Sequence, residues 1–170
     1  MCAFIASILA APGLSGLLGG SLAVIMVAIA AIDARHLVIP DKLALAGVAL
    51  GLIDVSVAQT DPTVISIGAC MLRAVLIAAF FWGFRLIYRW IRGYDGLGLG
   101  DVKLAAVAGL WLDWINAAIA VDVAALSALA FVLIGVARGR KVSKHTMVPF
   151  GLFFAPSIWL AWLLAVIVSH

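Results

Sequence analysis

The stretch LSGLLGGSLAVIMVAIAAID, from Leu14 to Asp33, decides the fold by its length and by how it ends. A bilayer-spanning helix needs about 20 predominantly apolar residues, with a range of about 17–25. Leu14 to Ile32 meets that length, and no charged side chain precedes Asp33. A carboxylate at the rim of a lipid-embedded helix is costly, so Asp33 marks a functional site by default. Upstream, Met1 to Ala11 reads as a partial helix. Pro12, Gly13, Gly16, Gly19 and Gly20 mark the bend that follows. A secretory signal needs a basic n-region, and none is present.

Downstream, the apolar pattern repeats. Further spans read as Leu43 to Ala58, with Asp54 near its far end, then Thr63 to Phe84, then Leu99 to Asp113. Ile115 to Ala137 follows, with Asp122 inside it, and Val148 to Val168 comes last. Thr60-Asp61-Pro62 reads as a turn. The span from Leu99 is too short to cross unless its glycine-rich approach is itself immersed. The fold class is therefore all-α: a polytopic membrane helix bundle of about six transmembrane helices, one integral-membrane domain over residues 1–170.

Composition agrees. The 170 residues are 66% hydrophobic and 11% charged, against about 45–50% and about 25% in soluble domains. Mean hydropathy is +1.26. Membrane lipid is the expected surrounding, with no room for a soluble domain beside the spans. The net charge of +3 does not point to nucleic acid, because the basic residues sit in short loops. None of the eight acidic residues is Glu. Cys2 and Cys70 are isolated and read as small core hydrophobes. His36 and His145 fall in loops, and His170 is terminal. With no Glu, no His pair and no adjacent Cys, neither a metal site nor a cofactor is expected. Most of the six tryptophans fall near span ends, as an aromatic belt would place them.

The basic residues set orientation. Arg35 and Lys42 lie between the first two spans. Arg85, Arg89, Arg92 and Lys103 surround the third connection, and Arg138, Arg140, Lys141 and Lys144 precede the last span. Alternate loops put all of these on one side. The opposite loops carry Asp54, Asp61 and Asp113 with no Lys or Arg. The positive-inside rule makes the basic side cytoplasmic. Only Arg73 lies apart, mid-span, where a structural ion pair with Asp54 or Asp122 is expected.

Asp33 and Asp101 both fall on the basic side, each at a span boundary. Two carboxyl groups sharing a site cannot both ionise cheaply, so one stays protonated near neutral pH. The carboxylate can then take a proton from an attacking water while the acid protonates the carbonyl oxygen. Gly96, Gly98 and Gly100 remove side chains just before Asp101, which lets a substrate backbone approach. Taken singly, Asp33 also reads as a solvated cap or a partner of Arg35, and Gly-x-Gly-Asp as a simple turn.

The surrounding strings resemble the type IV prepilin peptidases, membrane aspartic proteases of the Gly-x-Gly-Asp type that remove leader peptides. The first motif reads IDARHLVIPDKL from Ile32, with Asp41 where the family usually has Asn. The second reads GLGLGDVKLAAVAGLWL from Gly96. A third, VPFGLFFAP, runs from Val148 to Pro156. The resemblance implies Asp33 and Asp101 as the catalytic pair, with Gly98, Gly100, Lys103, Pro149 and Gly151 shaping the site. It implies a prepilin or pseudopilin substrate, a bacterial cytoplasmic (inner) membrane location, and an active site facing the cytoplasm. Long family members carry an N-terminal part with Cys-x-x-Cys motifs, associated with methylation. This sequence has none, so a short, peptidase-only form is expected.

Two rivals remain open at this point. One is a presenilin-like intramembrane protease, in which Tyr94-Asp95 would supply the second aspartate, although it lies too near Asp101 in the sequence. The other is a small proton-coupled transporter with Asp33, Asp101 and Arg73 as relays.

Overall fold

Gly13 and Leu37 bracket the first long helix. Gly13 takes φ 92°, and Leu37 closes the far end in the left-handed conformation, its N–H on the Asp33 carbonyl at 2.9 Å. The structure, a computed structural model, describes residues 2–11, 13–58, 64–93, 96–139 and 148–169. Pro12, the Thr60-Asp61-Pro62 turn, Tyr94, Asp95, Arg140, Lys141, Lys144, His145 and His170 lie outside the described residues.

Seven helices and no strand occur among the described residues. They are α1 (Cys2–Ala10), α2 (Leu14–His36), α3 (Asp41–Ala58), α4 (Val64–Arg92), α5 (Leu99–Trp111), α6 (Trp114–Ala137) and α7 (Phe150–Ser169). The protein is an all-helical membrane bundle. Among the described residues, four helices are long and apolar enough to cross a bilayer: α2, α4, α6 and α7. The partial helix and the six apolar runs expected from the sequence each correspond to one helix. α3 has 18 residues and carries Asp41, Lys42 and Asp54. α5 has 13 residues. At 1.5 Å per residue it is about 20 Å long, too short to cross a core of about 30 Å.

That short helix sits in the middle. Leu104, Val107 and Ala108 of α5 are wholly buried, together with Leu22, Met26 and Ile29 of α2 and Phe154 and Ile158 of α7. Small residues let the helices meet closely, as lipid-embedded packing requires. Trp162 of α7 occupies the space where Gly19 of α2 has no side chain. Gly109 of α5 lies against the Ala74 backbone of α4.

Two expectations are corrected by this packing. Arg73 pairs with neither Asp54 nor Asp122. Its Nε donates to the Gly109 carbonyl at 2.8 Å, and its guanidinium also reaches Cys70 Sγ at 3.4 Å. The physical reason is that the last carbonyls of α5 have no intrahelical donor, and a half-buried cation at a helix C-terminus serves both that deficit and the dipole. Asp54 instead meets the Ser15 hydroxyl, and Asp122 is exposed. The tryptophans also divide. Trp82, Trp90 and Trp114 are exposed in the manner of a belt, but Trp111 and Trp162 are buried. The indole of Trp111 donates to the Gly47 carbonyl at 2.9 Å, and that of Trp159 to Ser7 Oγ at 3.0 Å.

The α4–α5 contact generates a test. A Cβ on Gly109 would fall 2.5 Å from Ala74 Cα and 2.8 Å from its nitrogen. Gly109→Val should therefore cost about 1–3 kcal/mol or prevent folding. Gly68→Val should melt like the parent apart from a small propensity effect, since no described residue lies within 4 Å of that position. Thermal melting in detergent checks both. Equal melting temperatures for Gly109→Val and Gly68→Val would show that α4 and α5 do not meet there.

Candidate active site

Three helix ends converge at one end of the bundle: the last turn of α2 and the first turns of α5 and α7. Asp33 lies in that last turn of α2 and is 5% exposed. The C-terminal end of its own helix disfavours its charge. The first turn of α7 compensates. The Leu152 N–H donates to Asp33 Oδ2 at 2.9 Å, one of the N–H groups that a helix start leaves unpaired.

Gly151 makes this approach possible. A Cβ there would fall 2.9 Å from Asp33 Oδ2 and 2.9 Å from Ile39 Cδ1. Pro149, half-buried, precedes α7 and has no N–H to leave unpaired in its approach.

Asp101 occupies the third position of α5 and is 6% exposed. The Gly98 N–H donates to its Oδ2 at 3.2 Å, and its own N–H donates to the Gly98 carbonyl at 3.2 Å. Burial pushes the Asp101 carboxyl up to about 7, and the Asp33 charge adds to the rise, while the Gly98 N–H pulls the other way. Ile39 lies against both Gly100, next to Asp101, and Gly151, next to the Leu152 N–H that Asp33 accepts, so the two carboxyls stand at the same end of the bundle.

The two glycines before Asp101 differ. Gly98 is exposed with extended backbone, φ −70° and ψ 149°. Among the described residues, a Cβ there would meet only Asp101 Oδ2 at 3.3 Å and the Gly100 nitrogen at 3.8 Å. The space beside Asp101 is thus open on that side. Gly100 is different: a Cβ would fall 2.8 Å from both Cβ and Cδ1 of Ile39. Its missing side chain is filled from within. Upstream, Gly96 lies beneath the Tyr88 ring, and Arg85 Nη1 donates to the Leu97 carbonyl at 2.9 Å. These contacts hold the approach to α5 against α4.

Lys103 follows Asp101 by two residues on α5. It forms an ion pair with Asp41 at the start of α3. Both side chains are substantially exposed, 42% and 81%, so the pair is worth little energetically. It does link the first-motif segment to α5. Asp41 stands where the resembled family usually has Asn, and neither its pairing with Lys103 nor the place of Ile39 follows from the sequence alone. The burial of Ile39 in an otherwise exposed loop, with Leu37 and Val38 open on the same strand of chain, could not be read without the fold.

Beside the site, a wholly apolar groove of about 460 Å³ opens between α3 and α4. Its floor includes Val102 and Ala106 of α5, and its α4 wall includes Ala74, Ala78 and Ala79. Val102 directly follows Asp101.

A family model described as the type IV leader peptidase family matches residues 20–136. The chain is 33% identical over 130 residues to a prepilin leader peptidase/N-methyltransferase of Burkholderia pseudomallei, covering 76% of this chain and 40% of that protein. It is 32% identical over 157 residues to a protein of the same name from Aeromonas hydrophila, covering 90% and 51%. The leader peptidase HopD of Escherichia coli is 31% identical over 123 residues, covering 72% of this chain and 77% of that protein. The chain thus spans about half or less of the longer relatives, as their 40% and 51% coverage shows. No solved structure matches it.

Two outcomes test the geometry. Gly100→Ala should lower the melting temperature, since Ile39 occupies its side-chain space, whereas Gly98→Ala should not; the reverse order would overturn the assignment of the two glycines. The second concerns Asp101. With its carboxyl raised from 3.8 to about 7, the folded protein keeps a proton that the unfolded chain has released. The protein therefore loses stability as pH rises from about 4 to about 7. Asp101→Asn removes that loss. The variant should melt a few degrees above the parent at pH 8 and alongside it at pH 4. A pH-independent difference would show that Asp101 is not buried in this way.

Proposed function

The chain belongs to the type IV leader peptidase family, and from that premise we propose that it is a membrane aspartic endopeptidase that removes the leader of prepilin-like proteins. The observation that carries the reading is the buried pair itself: Asp33 on α2 and Asp101 on α5, coupled at the meeting of three helix ends.

The environments divide the labour. Asp33 accepts an N–H from the first turn of α7, and the positive end of that helix favours a carboxylate. Asp101, raised to about 7, favours the acid. Asp33 then serves as the base that takes a proton from water as its oxygen attacks the scissile carbonyl. Asp101 donates its proton to the carbonyl oxygen, giving a neutral tetrahedral diol. Collapse of the diol returns a proton to the leaving nitrogen and breaks the C–N bond. Water is consumed, a carboxyl and an amine are released, and no covalent enzyme intermediate forms. Gly98 leaves room for the substrate backbone beside Asp101.

The relatives are prepilin leader peptidases, which supports a prepilin-like substrate class. Such a substrate would carry a basic leader followed by an apolar helix. The apolar groove that starts at Val102 suits the path of that helix. The basic loops, read by the positive-inside rule, support a site at the cytoplasmic face of the inner membrane. Gly98, Gly100, Lys103, Pro149 and Gly151 shape the site around the pair, with Lys103 acting through Asp41. Family membership favours this reading over a presenilin-like protease or a proton-coupled transporter.

Purified full chain incubated with a prepilin-like substrate tests the reading. Asp33→Asn and Asp101→Asn should each lower turnover by at least about 100-fold while the protein still folds. Cleavage retained in either variant would sink the paired-aspartate mechanism.

A further inference from the structure

One side chain touches both halves of the site without belonging to either aspartate. Ile39 lies between α2 and α3 and is 5% exposed, although Leu37 and Val38 just before it are 47% and 59% exposed. The backbone forces this inward turn. Leu37 takes φ 55° and ψ 32°, a left-handed conformation that costs a non-glycine residue free energy and tends to persist at functional sites. Pro40 follows, and a proline restricts the preceding residue to extended backbone. The α3 helix then starts with the Leu43 and Ala44 N–H groups on the Pro40 carbonyl, both at 3.1 Å. Ile39 is held at both of its ends.

Its side chain fills two vacant positions. Cβ, Cγ1 and Cδ1 lie 2.8–2.9 Å from where a Gly100 side chain would start. Cδ1 lies 2.9 Å from where a Gly151 side chain would start. The first turns of α5 and α7 therefore both rest on Ile39. Each turn carries a carboxyl's support in the next residue: Asp101 follows Gly100, and Leu152, whose N–H holds Asp33, follows Gly151.

We propose that Ile39 is a positioning residue, a spacer between α5 and α7 that fixes where Asp33 and Asp101 stand relative to one another. The proposal rests on the peptidase reading above. Its branched side chain is stiff at χ1, which suits a spacer that must not flex. Gly100 and Gly151 are the seats for it. Removing part of the spacer lets the two helix starts shift by a fraction of a side chain, and such a misplacement costs turnover rather than affinity.

The experiment compares Ile39→Val and Ile39→Ala with Asp33→Asn and Asp101→Asn. All are purified as full chains in detergent, with kcat and KM taken per folded molecule on a prepilin-like substrate. Ile39→Val should lower kcat by about threefold and Ile39→Ala by at least about tenfold, with KM within about twofold of the parent. A loss of packing alone would lower the melting temperature and leave kcat per folded molecule unchanged. That result would overturn the proposal. A raised KM with unchanged kcat would also overturn it, because Ile39 would then touch substrate. If Ile39→Ala does not fold, Ile39→Val decides: a fall in kcat supports the spacer, and parental kcat refutes it. Full activity in the Ile39 variants with dead aspartate variants defeats only this inference. Active aspartate variants defeat the peptidase mechanism itself.

Discussion

A carboxyl group buried among apolar helices must find its hydrogen-bond donors inside the protein, and the architecture follows from how two of them do so. Asp33 and Asp101 both draw on the N–H groups that helix starts leave unpaired. Asp33 takes the Leu152 N–H of α7, and Asp101 takes the Gly98 N–H at the start of its own helix. For both to be served at one place, α5 and α7 must begin there and α2 must end there. The meeting of helix ends is thus a requirement of the buried charges.

That requirement explains the oddest element, a 13-residue helix at the centre of a membrane bundle. Starting at the site, α5 runs inward and stops before it can cross. Its last carbonyls are then stranded in apolar surroundings, where an unmet acceptor is costly. Arg73 resolves this by donating to the Gly109 carbonyl. The close approach of Gly109 to the Ala74 backbone brings the arginine's helix within reach. The Arg73 cation at the far end of α5 matches the helix dipole. The mid-membrane arginine is therefore accounted for by the position of the aspartate.

How much of this was legible in the sequence depends on whether a feature is local. The helices were, because hydropathy and glycine or proline breaks act within a few residues. The two aspartates were, because their motifs and the basic loops are written along the chain. Arg73 was legible as a problem but not in its solution, since a helix-terminal carbonyl has no letter in the sequence. The division of the tryptophans was hidden for the same reason: Trp111 needs the Gly47 carbonyl of another helix. Gly98 and Gly100 look alike as letters, yet one faces open space and the other Ile39. Only tertiary contact separates them. Ile39 itself was written inside the first motif, but nothing local distinguishes a loop isoleucine that is buried from one that is not.

The site must also reconcile dryness with water. Burial holds the Asp101 proton to near neutral pH, and a fully solvated carboxyl would lose it at about 3.9. On the peptidase reading, water must nevertheless reach the same carbonyl. Placing the pair at the end of the bundle rather than at its middle answers both demands. Leu104, Ala105, Val107 and Ala108 of α5 are buried, so one side of the pair is apolar. Gly98 is exposed and has no side chain to close the other side. The apolar groove begins one residue along, at Val102. On the peptidase reading, a substrate crossing from bilayer to water would pass from groove to open face, and its scissile bond would meet the two carboxyls where those surroundings change.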